Sequence, residues 1–293
     1  MADETITILD RRRLELGEGP SYDALTDTVH WIDILGRTLY EMPMETRRIA
    51  AHPLPRMASE IHGVDEHRQI MAMDDGLYLR DRASGALELH LPLEADDPQT
   101  RSNDGNVHPS GALWIGTMGR RAETGAGAIY HYRKGRITKL FGNISIPNGI
   151  CFSPDGATGY FCDTATNHLL RVAVDPLTGL PTGEPNPFHD QTGQSGHHDG
   201  ACTASDGTIF IASWGGRAVL VLSPEGEVVR RIDVPASQPT CPAFIGRRAD
   251  RMILTTAWEH MTPDEISLDE QAGMTFLLNP GVLGVGLPHV EIA

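Results

Sequence analysis

Pro109-Ser110-Gly111-Ala112-Leu113-Trp114-Ile115, Pro154-Asp155-Gly156-Ala157-Thr158-Gly159-Tyr160-Phe161 and Ser205-Asp206-Gly207-Thr208-Ile209-Phe210-Ile211 share one pattern, a tight turn built on glycine followed by a strand. The turn glycines stand at 111, 156 and 207, so the steps are 156 − 111 = 45 and 207 − 156 = 51 residues. Asp75-Gly76-Leu77-Tyr78-Leu79 and Val29-His30-Trp31-Ile32-Asp33 are weaker copies upstream. A unit of this length with four short strands is a propeller blade, and 293 residues hold roughly six of them. The rest of the chain agrees. Apolar residues come in short β-branched or aromatic runs, and the 31 glycines and 20 prolines are spread as turns would place them. The expected fold is all-β, a six-bladed β-propeller with a central metal-binding channel, occupying residues 1–293 as one domain. A β-sandwich or a pair of barrels is the competing architecture, and the repeat spacing disfavours it. The plausible helix is Pro263 to Gln271, with Thr262 as its cap. A propeller must close its ring; Thr5–Leu9 and Met274–Leu278 are the segments suited to share a blade.

Six or seven residues before each turn glycine stands another glycine, preceded by a polar residue: Asp104-Gly105, Asn148-Gly149 and Asp199-Gly200. Glu18-Gly19-Pro20 has the same form in the first unit. The first strand of each blade lines the channel, so Glu18, Asn148 and Asp199 are expected to converge on the axis. Two carboxylates and an amide oxygen facing one another call for a cation, because their charges otherwise repel. Hard oxygen donors suit Ca²⁺, Mg²⁺ or Mn²⁺, with Zn²⁺ and Fe²⁺ also open. Three protein ligands leave coordination positions for water and substrate. The bland alternative is that these dipeptides are ordinary turns.

Composition removes several function classes. Against 39 acidic residues the chain has 24 basic ones, a formal charge of −15, which argues against nucleic-acid binding. No run approaches the roughly 18 apolar residues of a membrane span. Met1–Thr5 has neither the basic start nor the apolar run of an export signal, so a cytoplasmic protein is expected. The cysteines at 151, 162, 202 and 241 form no C-x-x-C pair and are expected to be reduced, buried thiols. The tryptophans at 31, 114, 214 and 258 fall in or near repeat strands and are expected in the core, and the Arg11–Arg13 run on a solvated face.

Motifs in a fixed order add to this reading. Gly17-Glu18-Gly19-Pro20, Arg101-Ser102-Asn103-Asp104-Gly105, Gly116-Thr117-Met118, Ile146-Pro147-Asn148-Gly149 and His198-Asp199-Gly200 resemble the senescence marker protein (regucalcin) / gluconolactonase family of sugar lactonases, over about residues 14 to 280. The resemblance implies a six-bladed propeller that opens aldonolactones with one divalent metal in the channel. Position by position it implies that Glu18, Asn148 and Asp199 hold the metal, that Arg101 and Asn103 reach the substrate, and that Asp199 is the catalytic base. Two positions depart from the pattern. His198 stands where the family has proline, and Gly119-Arg120-Arg121 replaces a segment where animal members carry an acid that helps hold substrate. That position falls on Arg121, which therefore inherits no role; Glu123 is the one nearby acid able to substitute.

The expected activity is hydrolysis of a pentono- or hexonolactone to the aldonic acid by an activated water, in a monomer whose partner is a small-molecule sugar lactone. Hydrolysis of other esters or organophosphates is a second reading of the same scaffold. A calcium-binding or protein-binding propeller without catalysis is a third.

Overall fold

A computed structural model describes residues 6–293; Met1–Thr5, including the Thr5 end of the expected closing strand, lie outside the described residues. After β1 (Thr7–Asp10) the chain builds four-stranded units in succession. The first contains β2 (Gly17–Asp23), β3 (Thr28–Asp33), β4 (Thr38–Pro43) and β5 (Ala50–Pro53). The second contains β6 (Ala58–Gly63), β7 (Arg68–Met73), β8 (Gly76–Asp81) and β9 (Leu87–Pro92). The third runs β10 (Thr100–Val107), β11 (Leu113–Gly119), β12 (Gly127–Arg133) and β13 (Arg136–Ile144). The fourth runs β14 (Pro147–Phe152), β15 (Thr158–Asp163), β16 (His168–Ala173) and β17 (Asn186–Asp190). The fifth is β18 (His197–Thr203), β19 (Ile209–Trp214), β20 (Ala218–Leu222) and β21 (Val228–Asp233). β22 (Pro239–Ile245), β23 (Arg251–Thr256), α1 (Pro263–Leu268) and β24 (Thr275–Leu278) follow.

The sixth sheet is composite, in the order β1-β24-β23-β22, so a strand from each end of the chain completes it. Thr7 faces Leu277 and Ile8 faces Phe276 across the antiparallel pair. The innermost strands touch in the cyclic order β2, β6, β10, β14, β18, β22 and back to β2, which makes the molecule a six-bladed propeller.

Among the described residues there is no single core. Six apolar clusters fill the wedges between neighbouring blades. Trp114 and Ile129 of the third blade, for example, meet Phe152, Phe161 and Val172 of the fourth. Trp31 and Tyr40 of the first meet Ala243, Ile245 and Ile253 of the sixth. Trp31 and Trp114 are wholly buried as expected, whereas Trp214 is half-buried against the wedge between the first and second blades, and Trp258 lies half-buried on a loop. All four cysteines are free thiols. The helix starts with a capping box, Thr262 and Glu265 bonding reciprocally, but ends at Leu268 rather than Gln271. Asp269 stops it: its carboxylate is engaged by Ser237 N and by Arg217. Among the described residues no helix is long and apolar enough to cross a membrane.

The repeat recurs in side-chain bonds. Asp33, at the end of β3, accepts from Glu15 N, Leu16 N and Gly36 N at 3.0, 3.1 and 2.9 Å. Asp163, at the end of β15, accepts from Ser145 N, Ile146 N and Ala165 N at 2.8, 3.0 and 3.2 Å. Each aspartate pins the chain just before an inner strand, directly upstream of Glu18 in one blade and Asn148 in the other. Asp33→Ala and Asp163→Ala each leave backbone donors unmatched. We expect each to lower unfolding free energy by about 1–3 kcal/mol, read from urea midpoints; midpoints equal to the parent would contradict this role.

Candidate active site

Each inner strand carries one extra residue relative to its neighbour in the ladder. The irregularities fall at Glu18/Ser21, Ala58/Glu60, Ser102/Gly105, Asn148/Cys151, His198/Ala201 and Pro239/Pro242. A bulge leaves its extra residue unpaired and re-aims the side chains beside it. Equivalent dipeptides therefore do not sit equivalently in the ladder. Glu18 and Asn148 occupy the last paired position before the bulge, whereas Asp199 lies inside it.

The bulges supply N–H groups to buried acids. Gly19 N donates to Glu18 Oε2 at 3.3 Å, Gly105 N to Glu60 Oε1 at 3.2 Å and Ile150 N to Asp104 Oδ2 at 2.7 Å. The Gly200 N–H does the same for Asp199. Glycine is required sterically here. A Cβ on Gly19, whose φ is +52°, would overlap the Ser59 carbonyl oxygen; one on Gly105 would stand 2.7 Å from Trp114 O.

A chain of side-chain hydrogen bonds crosses three blades. Thr164 Oγ1 donates to His198 O at 2.8 Å and accepts from Asn148 Nδ2 at 2.8 Å. That turns Asn148 Oδ1 towards Asn103, whose Nδ2 donates to it at 2.9 Å and to Pro147 O at 3.0 Å. Asn103 Oδ1 in turn accepts from Arg101 Nη1 at 2.8 Å, and the same Nη1 also donates to Ser102 O at 2.9 Å. Both bonds fall on Nη1; among the described residues Nε and Nη2 of Arg101 take no protein acceptor. The orientation of both amides is thus fixed by their partners.

Glu18, Arg101, Asn103, Asn148 and Asp199 are all buried. Burial pushes the Glu18 carboxyl well above the ordinary carboxylate range, and the charges of Asp104 and Glu60 push it further, against the Gly19 N–H and Arg101. Asp199 is raised likewise, by burial and then by Glu18. Asp104 is raised by burial and by Glu60. Burial lowers Arg101, opposed by Glu259 and Glu18. The four acids and the arginine therefore form one electrostatic unit.

A divalent cation fits the donors present. Glu18 and Asp199 are mutually repelling carboxylates, and Asn148 Oδ1 is an oriented oxygen with a second lone pair beyond the Asn103 bond. Among the described residues no three His, Cys, Asp or Glu side chains form a metal cage, so an amide oxygen has to complete any set of three.

His198, where the family has proline, is fully buried, and its ring lies 5.2 Å from that of His189 on the outer strand β17. Burial pushes it down to about 3. Arg121 is solvent-exposed and paired with Glu123 at 2.9 Å, so Glu123 is engaged within its own loop. Arg120 donates to Asp74 Oδ2 at 2.7 Å and Pro98 O at 2.8 Å.

Sequence reasoning missed Glu60 and Glu259. Glu60 has no following glycine, but its distance to Asp104, 104 − 60 = 44 residues, is one blade period. Glu259 gave no repeat signal, since it lies on the loop after the last inner ladder.

Comparison with known proteins follows the same line. The family model for the SMP-30/Gluconolactonase/LRE-like region matches residues 16–258, and the chain belongs to this family. It is similar to the "Putative sugar lactone lactonase" of Rhizobium meliloti (strain 1021), 51% identical over 92% of both chains. It is also similar to the L-arabinolactonase of Azospirillum brasilense, 31% identical over 92% of this chain and 90% of the other. Among solved structures it resembles a calcium-binding protein, regucalcin, from Agrobacterium tumefaciens str. C58. That match has 49% identity and a TM-score of 0.94, over 99% of this chain and 97% of the other.

Gly19→Ala should lower unfolding free energy by about 1–3 kcal/mol, because the methyl group meets backbone on a left-handed residue. Gly183→Ala, where the added carbon meets nothing within 4 Å, should stay within about 0.5 kcal/mol of the parent. Denaturant midpoints measured side by side check the pair, and equal values for both variants would remove the steric argument.

Proposed function

We propose that the protein hydrolyses a sugar lactone to its aldonic acid in the upper channel. The observation that carries this reading is the relay from Arg101 through Asn103 to Asn148 beside Asp199, buried polar groups with unspent bonding capacity at one end of a channel. The lactonase names of the relatives support the substrate class. Whether the ring is a pentono- or hexonolactone is decided by the substrate panel below.

Glu18, Asn148 and Asp199 would hold one divalent ion, for which the regucalcin structure's description as calcium-binding gives calcium as the first candidate. A bound dication supplies carbonyl polarisation and a lowered water pKa. The residues do the rest. Arg101, oriented through Nη1 by Asn103 and Ser102, presents Nε and Nη2 to the substrate's oxygens and to the developing oxyanion. Asn103 holds that guanidinium in place and contributes its own amide to a polyhydroxylated ring. Asp199 would take the proton of the attacking water on its carboxylate. A well-placed base of this kind contributes about 10²–10⁴ in rate.

The test is acid release, followed by a pH indicator, from a panel of pentono- and hexonolactones. Chelated protein is compared with protein given Ca²⁺, Mg²⁺, Mn²⁺, Zn²⁺ or Fe²⁺ separately. Asp199→Ala should abolish metal-restored hydrolysis and metal binding together. Arg101→Ala should retain the metal, read by calorimetry, while losing kcat/KM by at least about 10²-fold. Full activity in Asp199→Ala would falsify the assignment of the base. No acceleration by folded, metal-loaded protein on any lactone would overturn the lactonase reading.

A further inference from the structure

The channel has a second end. Below the level of Gly19, Gly105 and Cys241 the inner strands open into a chamber of about 460 Å³, and none of Glu18, Arg101, Asn103, Asn148 or Asp199 lines it. Its walls are mostly apolar, with Val107, Phe152, Ala201, Pro242, Ala243 and Phe244 from four inner strands. This size and polarity suit a small ring compound.

The C-terminal segment crosses beneath it. Ser205 N donates to Leu283 O, Gly284 N to Ala249 O, Val290 N to Gly63 O and Glu291 N to Gly111 O, at 2.8 to 2.9 Å. Between these anchors, residues 284 to 288 line the chamber, and at Gly286 a side chain would meet nothing within 4 Å. The mouth lies there, beside exposed Arg248.

The deep end is polar and short of partners. Glu60 and His62 both line it and both are buried, at 3% and 6% exposure. Glu60 Oε1 accepts from Gly105 N, while Oε2 lies 3.2 Å from His62 Nε2. Nε2 itself makes no hydrogen bond. Burial pushes His62 down to about 4, so at neutral pH the ring is uncharged and Nε2 can accept. The cations of the lining, Arg247 and Arg248, stand at the mouth and are paired with Asp27 and Asp250 at 3.5 and 2.5 Å. Burial also raises the Glu60 carboxyl well above its ordinary range, against the Gly105 N–H, so the Glu60–His62 pair at the end of an apolar chamber favours a positively charged N–H donor that would hold the carboxylate ionised.

We propose that this lower chamber is a second ligand site for a small molecule with an apolar, ring-sized body and one ammonium group, the ammonium seated between Glu60 and His62. The chamber is lined by none of the residues proposed for the lactone chemistry, although Glu60 also bears on the charge of Glu18 and Asp104 above it.

Benzylamine, protonated at neutral pH, is the probe, with benzyl alcohol and benzoate as controls of the same shape. Each is titrated calorimetrically into the full-length protein. Benzylamine should bind once per chain, at least about tenfold more tightly than benzyl alcohol, and benzoate should give no heat. Gly286→Phe sets a ring in the open mouth and should reduce benzylamine affinity at least about tenfold with an unchanged thermal midpoint. Glu60→Gln should erase the preference for amine over alcohol. Gly286→Phe carries the test if Glu60→Gln does not fold. Absence of benzylamine binding, equal affinity for alcohol and amine, or amine binding that survives Gly286→Phe would each overturn the site. The last outcome would place the amine among the upper acids instead.

Discussion

Burying like charges together is the constraint from which the rest of this structure follows. Glu18, Glu60, Asp104 and Asp199 share one axis with Arg101 among them, and each buried ion carries a desolvation penalty of several kcal/mol. The compensation comes from the main chain. Gly19, Gly105, Ile150 and Gly200 offer N–H groups that a regular ladder would have consumed, and all four stand at the bulges of inner strands. Two of these bonds pass between blades, Gly105 to Glu60 and Ile150 to Asp104, so the electrostatics of the channel and the docking of the blades are one problem.

The wedges between blades provide the rigidity that such a site needs. Six separate apolar clusters hold each blade to its neighbours, leaving the axis to polar side chains. The relay from His198 O through Thr164, Asn148 and Asn103 to Arg101 spans three blades, and its bonds of 2.8 to 2.9 Å persist only if those blades keep their spacing. Side-chain orientation in the channel is therefore a property of the whole ring.

The repeat of Gly111, Gly156 and Gly207 was enough to read the architecture, because turn glycines mark blades at a nearly constant step. The polar-glycine dipeptides led to the upper channel for the same reason. That Glu18 precedes its bulge while Asp199 lies inside one was not legible, since a bulge changes facing without changing spacing. Glu60 escaped because its strand reaches the axis without a glycine after the acid. His198 adjoins Asp199 in sequence, yet its ring packs against His189 of the outer strand β17, which no spacing in the sequence signals. The chamber at the lower end was invisible in principle, being lined by strand ends and by a tail from different parts of the chain.

The composite sixth blade bears on how the molecule is made. Ile8 and Phe276, 268 positions apart, are direct partners across one antiparallel pair. Every other sheet is built from consecutive strands, so this pair ties the first blade's side of the ring to the sixth. It works as a clasp: the position of β2 relative to β22, and with it the approach of the acids on β2 and β18, rests on a contact between remote parts of the chain.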